Sequence, residues 1–113
     1  MDSYKTGLFS EFIACAYLVL HGFRIVQRRY TTGRYTNRAE IDIIARRGNL
    51  IIFVEVKKRK TLAAAWDAIP ETQIRRLRLA AETYLLKHKW NGDARFDVII
   101  IYGRHIKWAR GAI

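Results

Sequence analysis

A chain of 113 residues that is half apolar, 12% aromatic and carries one cysteine can bury a core of its own. That composition excludes a disulfide framework, a cysteine-based zinc finger and an intrinsically disordered chain. Lys plus Arg number 21 against 10 Asp plus Glu, a formal charge of +11, which points to a polyanionic partner, nucleic acid before an anionic membrane surface.

The length predicts one domain over residues 1–113. No signal peptide is legible and no apolar run is long enough to span a bilayer, so a cytoplasmic location with no membrane partner is expected. Lys5 to Leu20 reads as a helix, with Leu8, Phe9, Phe12, Ile13, Ala16, Leu18, Val19 and Leu20 apolar and Gly22 suited to the stop that follows. Phe23 to Tyr30 reads as a strand, and Thr31 to Arg38 as a polar loop. Ala39 to Arg47 and Leu50 to Lys58 are Ile- and Val-rich strands joined by Gly48-Asn49, a two-residue hairpin turn. Thr61 to Ile69 fits either a loop or a short helix. Pro70 opens a helix running to about His88, with Ile74, Leu77, Ala81 and Leu85 on its apolar stripe and Arg75, Arg76 and Arg78 largely off it. Asn91-Gly92 breaks that helix, Arg95 to Tyr102 is a strand, and Gly103-Arg104 turns the chain into a last strand, His105 to Arg110. The order α-β-β-β-α-β-β predicts an α/β fold with a mixed central sheet flanked by helices.

The hairpin gathers the charged groups. With Arg47 facing Leu50, Asp42 falls opposite Glu55 and Glu40 opposite Lys57, and all four share one face. The rest of that face is Ile44, Ile51 and Phe53, and the other face is Ile41, Ile43, Ala45, Ile52, Val54 and Val56. Both faces are thus largely apolar, as in strands covered on each side. Opposed carboxylates on such strands repel unless something organises them. A divalent cation held by oxygen ligands, Mg²⁺ or Mn²⁺, would do so. An ion-pair network, with Lys57 neutralising Glu40 or Glu55, is the alternative.

Glu11 sits in an otherwise apolar helix, one turn after Gly7, and is a candidate for pointing at this cluster. His21, His88 and His105 form no ligand spacing and read as surface residues, while Cys15 reads as a small core residue. Asp97, just after Arg95-Phe96, reads as a structural partner for a nearby arginine. Tyr30, Tyr35 and Trp66 fit either base stacking or packing at the core edge.

The ordered set of Gly7 and Glu11, Glu40-Ile41-Asp42, Glu55-Val56-Lys57, Arg76-Leu77 and Arg95-Phe96-Asp97-Val98 resembles the YraN-like family of small bacterial proteins with a PD-(D/E)XK, restriction-endonuclease-like core. That family is in turn similar to archaeal Holliday-junction resolvases. Two positions depart from its pattern: Ala39 stands where the family usually has Gly, and Lys58 where it often has Thr. The resemblance implies a metal-dependent endonuclease that hydrolyses phosphodiester bonds in branched or otherwise structured DNA. Asp42, Glu55, Lys57 and Glu11 would be catalytic, with Asp42, Glu55, Glu11 and the carbonyl of Val56 around Mg²⁺ or Mn²⁺. An ordinary lysine amine is a poor base at neutral pH, so Lys57 is expected to orient water or stabilise the phosphate. Glu40 is a supporting candidate, and so is Gln73, because some nucleases of this fold use a helix glutamine near the site. Arg28, Arg29, Arg34, Arg38, Lys58, Arg59 and Lys60 would neutralise phosphates. A homodimer is one arrangement the resemblance to resolvases admits. The alternative function is a non-catalytic nucleic-acid-binding module that keeps the fold.

Overall fold

The computed structural model describes residues 3–32 and 39–113, with side chains from residue 7 onward. Arg34, Tyr35 and Arg38 lie outside the described residues. The elements are α1 (Ser3–Leu20), β1 (Arg24–Thr32), β2 (Ala39–Arg47), β3 (Leu50–Lys58), α2 (Leu62–Asp67), α3 (Glu71–Lys87), β4 (Asp93–Tyr102) and β5 (His105–Ala109). The segment that fitted a loop or a short helix is α2, capped by the Thr61 side chain, which accepts a hydrogen bond from the Ala64 N–H. That helix is the one addition to the order read from the sequence.

The strands form one sheet in the order β1-β2-β3-β4-β5. Only β3 and β4 are parallel, joined by the α2–α3 crossover, and the other neighbours are antiparallel. The expected mixed α/β architecture is therefore present. No helix among the described residues is long and apolar enough to cross a membrane.

Helix α1 ends in a left-handed turn: Gly22 has φ +87°, its N–H donates to the Val19 carbonyl, and the Phe23 N–H reaches back to Leu18. The closure lays α1 across β1, β2 and β3, where Ala14, Leu18 and Phe23 pack against Ile43, Ala45, Ile52, Val54 and Ile99. Helix α3 covers the other face, seating Leu77, Ala80, Ala81 and Tyr84 on Ile41, Ile44, Ile51 and Phe53. The outer side of α1 leaves Phe9, Phe12, Val19 and Leu20 exposed, so the apolar residues of this helix do not all face the core.

Two features depart from a regular hairpin. The β2–β3 ladder runs from Arg47 opposite Leu50 to Ile43 opposite Val54, in the expected register, and ends there. The pairings of Asp42 with Glu55 and of Glu40 with Lys57 are not kept. Beyond Ile43, β2 stays with β1 as far as Ala39, while β3 stays with β4 as far as Lys58, so the sheet forks. In addition, Ile41 packs with Ile44, Phe53 and Leu77 rather than with Ile43 and Ala45. Strict alternation would have put Ile41 on the α1 face. The chain therefore changes face at Asp42. On β1, between the residues that pair with Ile43 and Ile41, Arg29 has φ +54°, a left-handed conformation uncommon for a non-glycine residue.

Candidate active site

The fork opens a cleft of about 440 Å³ on the α3 side of the sheet. Glu40, Asp42, Glu55 and Lys57 line it from the strands, and Thr72, Gln73 and Arg76 line it from α3.

Loss of the ladder at Asp42 leaves a β3 amide without its backbone partner, and Asp42 answers it: its Oδ2 accepts the Val56 N–H at 2.8 Å. Glu55 is 5% exposed. Its Oε1 takes a hydrogen bond from Gln73 Nε2 at 3.2 Å and pairs with Lys57 Nζ at 3.2 Å. Its Oε2 is buried with no hydrogen-bond partner. Such an orphaned carboxylate oxygen is uncommon in a folded core.

The electrostatics follow from this crowding. Burial, and then the neighbouring Glu55 charge, push the Asp42 carboxyl up to about 8. The Val56 N–H opposes that rise, the Glu11 charge adds to it, and Lys57 offsets part of it. Burial also raises Glu55, against the charge and hydrogen bond of Lys57. Without a cation, the pair therefore resists double ionisation at neutral pH.

The sign for folding is definite. An Asp42 pKa raised from 3.8 to about 8 means that the folded state holds a proton the unfolded chain has already released between those values. Stability of the metal-free protein should therefore fall as pH rises from about 4 to about 8. Thermal melts in chelator across that range check this, and a stability that rises with pH throughout would refute the electrostatic description. Mn²⁺ should restore the melting temperature more at pH 8 than at pH 5, because ligands must be deprotonated to bind metal.

The donors fit a hard divalent cation: a buried carboxylate, Glu55, one oxygen of which lacks any partner, beside the half-buried carboxylate of Asp42, is the ligand chemistry of Mg²⁺ or Mn²⁺. Asp42 and Glu55 could hold it, with the carbonyl of Val56, the residue after Glu55 on β3. Among the described residues no three of His, Cys, Asp and Glu are arranged as a metal-binding group. Glu11 is buried within electrostatic reach of Asp42, but its carboxylate is gripped by Arg29 through Nε at 3.1 Å and Nη2 at 3.0 Å, with Arg28 at 3.6 Å.

The remaining sequence candidates divide accordingly. Lys58, Arg59 and Lys60 are exposed where β3 leaves the cleft. Arg28 and Arg29 stand at Glu11. Tyr30 is core, edge-to-face with Tyr84 at 5.3 Å. The cleft also holds Thr72, which the sequence reading did not select, and Arg76, which it counted in the family resemblance without giving it a role at the site. The available signal was spacing, since Arg76 follows Gln73 by three residues and so shares its helix face.

The model of "Uncharacterised protein family UPF0102" matches residues 10–101. A UPF0102 protein of Bartonella bacilliformis is 46% identical over 101 residues, covering 88% of this chain and 80% of the relative. One from Mesorhizobium japonicum is 42% identical over 101 residues, covering 88% and 78%, and one from Bradyrhizobium diazoefficiens is 41% identical over 106 residues, covering 92% and 77%. Both the family match and these identities span most of the chain, which therefore belongs to family UPF0102, the YraN-like group.

Proposed function

We propose that this protein is a metal-dependent endonuclease with a PD-(D/E)XK core, hydrolysing phosphodiester bonds in branched or otherwise structured DNA. The observation that carries this reading is the pairing of half-buried Asp42 with buried Glu55 in an open polar cleft, with one Glu55 oxygen unpartnered and Lys57 at its side. A structural ion-pair network would satisfy those oxygens, whereas a cation site leaves donors waiting.

Bound by Asp42, Glu55 and the Val56 carbonyl, Mg²⁺ or Mn²⁺ would supply charge stabilisation for the phosphate and activation of water at neutral pH. The protein's own groups do the rest. Gln73 and Lys57 fix the Glu55 carboxylate from two elements, α3 and β3. Lys57 spends one donor of its ammonium on Glu55 and offers the others to a water or a phosphate oxygen. Arg76 and the exposed Lys58, Arg59 and Lys60 place positive charge where the polyanion approaches.

A second reading, a DNA-binding module without cleavage, draws on one observation: Glu11, a candidate ligand, is committed to Arg29. Cleavage of labelled duplex, flap and four-way-junction DNA, with Mg²⁺ or Mn²⁺ and with chelator, separates the two. Metal-dependent cutting supports the nuclease and ranks its substrates. Tight binding with no cutting under any metal condition establishes the module instead.

A further inference from the structure

At the far end of the β2–β3 hairpin, away from the cleft, Arg24, Arg46 and Arg47 surround a concavity of about 520 Å³ bounded by Gly22 and Gly48. Arg24 and Arg46 are direct partners across β1 and β2. Like charges so placed destabilise a strand pair. Among the described residues none of the three arginines has an ion pair.

Two of them are held in fixed positions. The Arg46 guanidinium lies 4.6 Å from the Trp90 ring centre and donates through Nε to the Gly48 carbonyl at 2.9 Å. The Arg47 guanidinium lies 4.4 Å from the Phe23 ring centre and donates through Nη1 to the His21 carbonyl at 3.0 Å. A guanidinium carries five donors, so each keeps several for a ligand. Two anchored guanidiniums and a third facing one of them across the strands, with no ion pair among the described residues, are arranged for an anion with several negative groups.

We propose that Arg24, Arg46 and Arg47 form a second phosphate-binding site for the nucleic-acid backbone, separate from the cleavage cleft. This deepens the proposed function and rests on its claim that the chain takes DNA. Guanidinium forks suit phosphate oxygens, and a recess lined by arginines and glycine backbone suits a phosphate chain rather than a flat lipid surface. From Asp42 to Arg47 the strand advances about 17 Å, the length of about five nucleotide steps of duplex. Arg28, on the same edge strand as Arg24, is paired with Glu11 on the α1 side of the sheet and is not part of that path. A duplex arm leaving the cleft along β1 would therefore reach the arginine triad some five nucleotides from the cut.

The test is DNA binding in chelator, where no cleavage intervenes, measured by fluorescence anisotropy over a range of salt. Wild type is compared with R24Q/R46Q/R47Q, which removes the three guanidiniums but keeps a polar side chain at each position, and with R104Q/K107Q/R110Q, an equal charge loss around β5, the opposite edge of the sheet. The first triple should lower affinity about a hundredfold near 0.1 M salt and flatten the salt slope by about 3, roughly 0.9 for each lost phosphate contact. The β5 triple should change affinity by less than about threefold. Equal losses in the two triples would reduce the effect to bulk charge and overturn the site. So would wild-type binding to vesicles rich in anionic lipid that is tighter than to duplex and is lost in the first triple. Failure of wild type to bind DNA at all would instead overturn the proposed function itself, and this site with it.

Discussion

Asp42→Asn is expected to lower metal-dependent cleavage at least about a thousandfold, equivalent to about 4 kcal/mol of transition-state stabilisation. The substitution is conservative in shape: an amide oxygen can still accept the Val56 N–H that Asp42 Oδ2 takes at 2.8 Å. What it removes is a charge that burial and Glu55 already oppose. The same variant should therefore be more stable than wild type without metal at pH 8, and its stability should fall less across the pH 4 to 8 window, Glu55 keeping a smaller share of the fall. Activity and stability moving in opposite directions is the signature of a group kept for function against the preference of the fold. Steady-state cleavage with Mn²⁺ and melts in chelator provide the two readouts. Cleavage within about tenfold of wild type would remove Asp42 from the chemistry.

The largest effect on folding is expected at an acid of β4 outside the cleft. Asp97 is fully buried and receives four hydrogen bonds: Arg95 Nε at 2.8 Å, Arg95 Nη2 at 2.9 Å, Trp108 Nε1 at 2.9 Å and the Gly111 N–H at 2.9 Å. It ties β4 to β5 and to the residues beyond, where Ala112 also donates to Phe96. Asp97→Ala empties the centre of this network and leaves the Arg95 guanidinium without its counterion. Breaking such a pair from one side costs about 3–5 kcal/mol. Small domains have only about 5–15 kcal/mol in total. Urea denaturation followed by tryptophan fluorescence should show the midpoint shifted by that amount with its slope unchanged. Metal binding at Asp42 and Glu55 should persist in the fraction that stays folded. A loss below about 1 kcal/mol would mean that the network is replaceable by water.

Much of this was legible in the sequence because it is local. The Gly48-Asn49 turn fixes the register of β2 and β3, and that register brings Asp42, Glu55 and Lys57 to one end of one hairpin. The Arg95–Asp97 pair is likewise a short-range pattern, two residues apart on one strand face. The fork was not legible. A period of two applied through Ile41 put it on the wrong face, because the face change coincides with Arg29 on another strand. Gln73 and Arg76 reach the cleft only because the crossover lays the start of α3 over β3. The grip of Arg29 on Glu11 joins residues that no local periodicity relates. The outer face of α1 shows a further limit: the pattern of its apolar residues did not say which face the core, and Phe9 and Phe12 are more than half exposed.

The single parallel pairing bears on how the molecule assembles. Strands β1, β2 and β3 are successive antiparallel neighbours, whereas β3 meets β4 only after the α2–α3 crossover, with Leu50 opposite Asp93. Contacts of such high sequence separation carry the larger loop-closure entropy and tend to be made after local ones. Until the crossover docks, Glu55 and Asp42 are open to water and can ionise together without penalty. Their mutual repulsion is thus installed late, on the native side of the folding barrier. Relieving it with Asp42→Asn should slow unfolding and leave the folding rate nearly unchanged in stopped-flow measurements at pH 8.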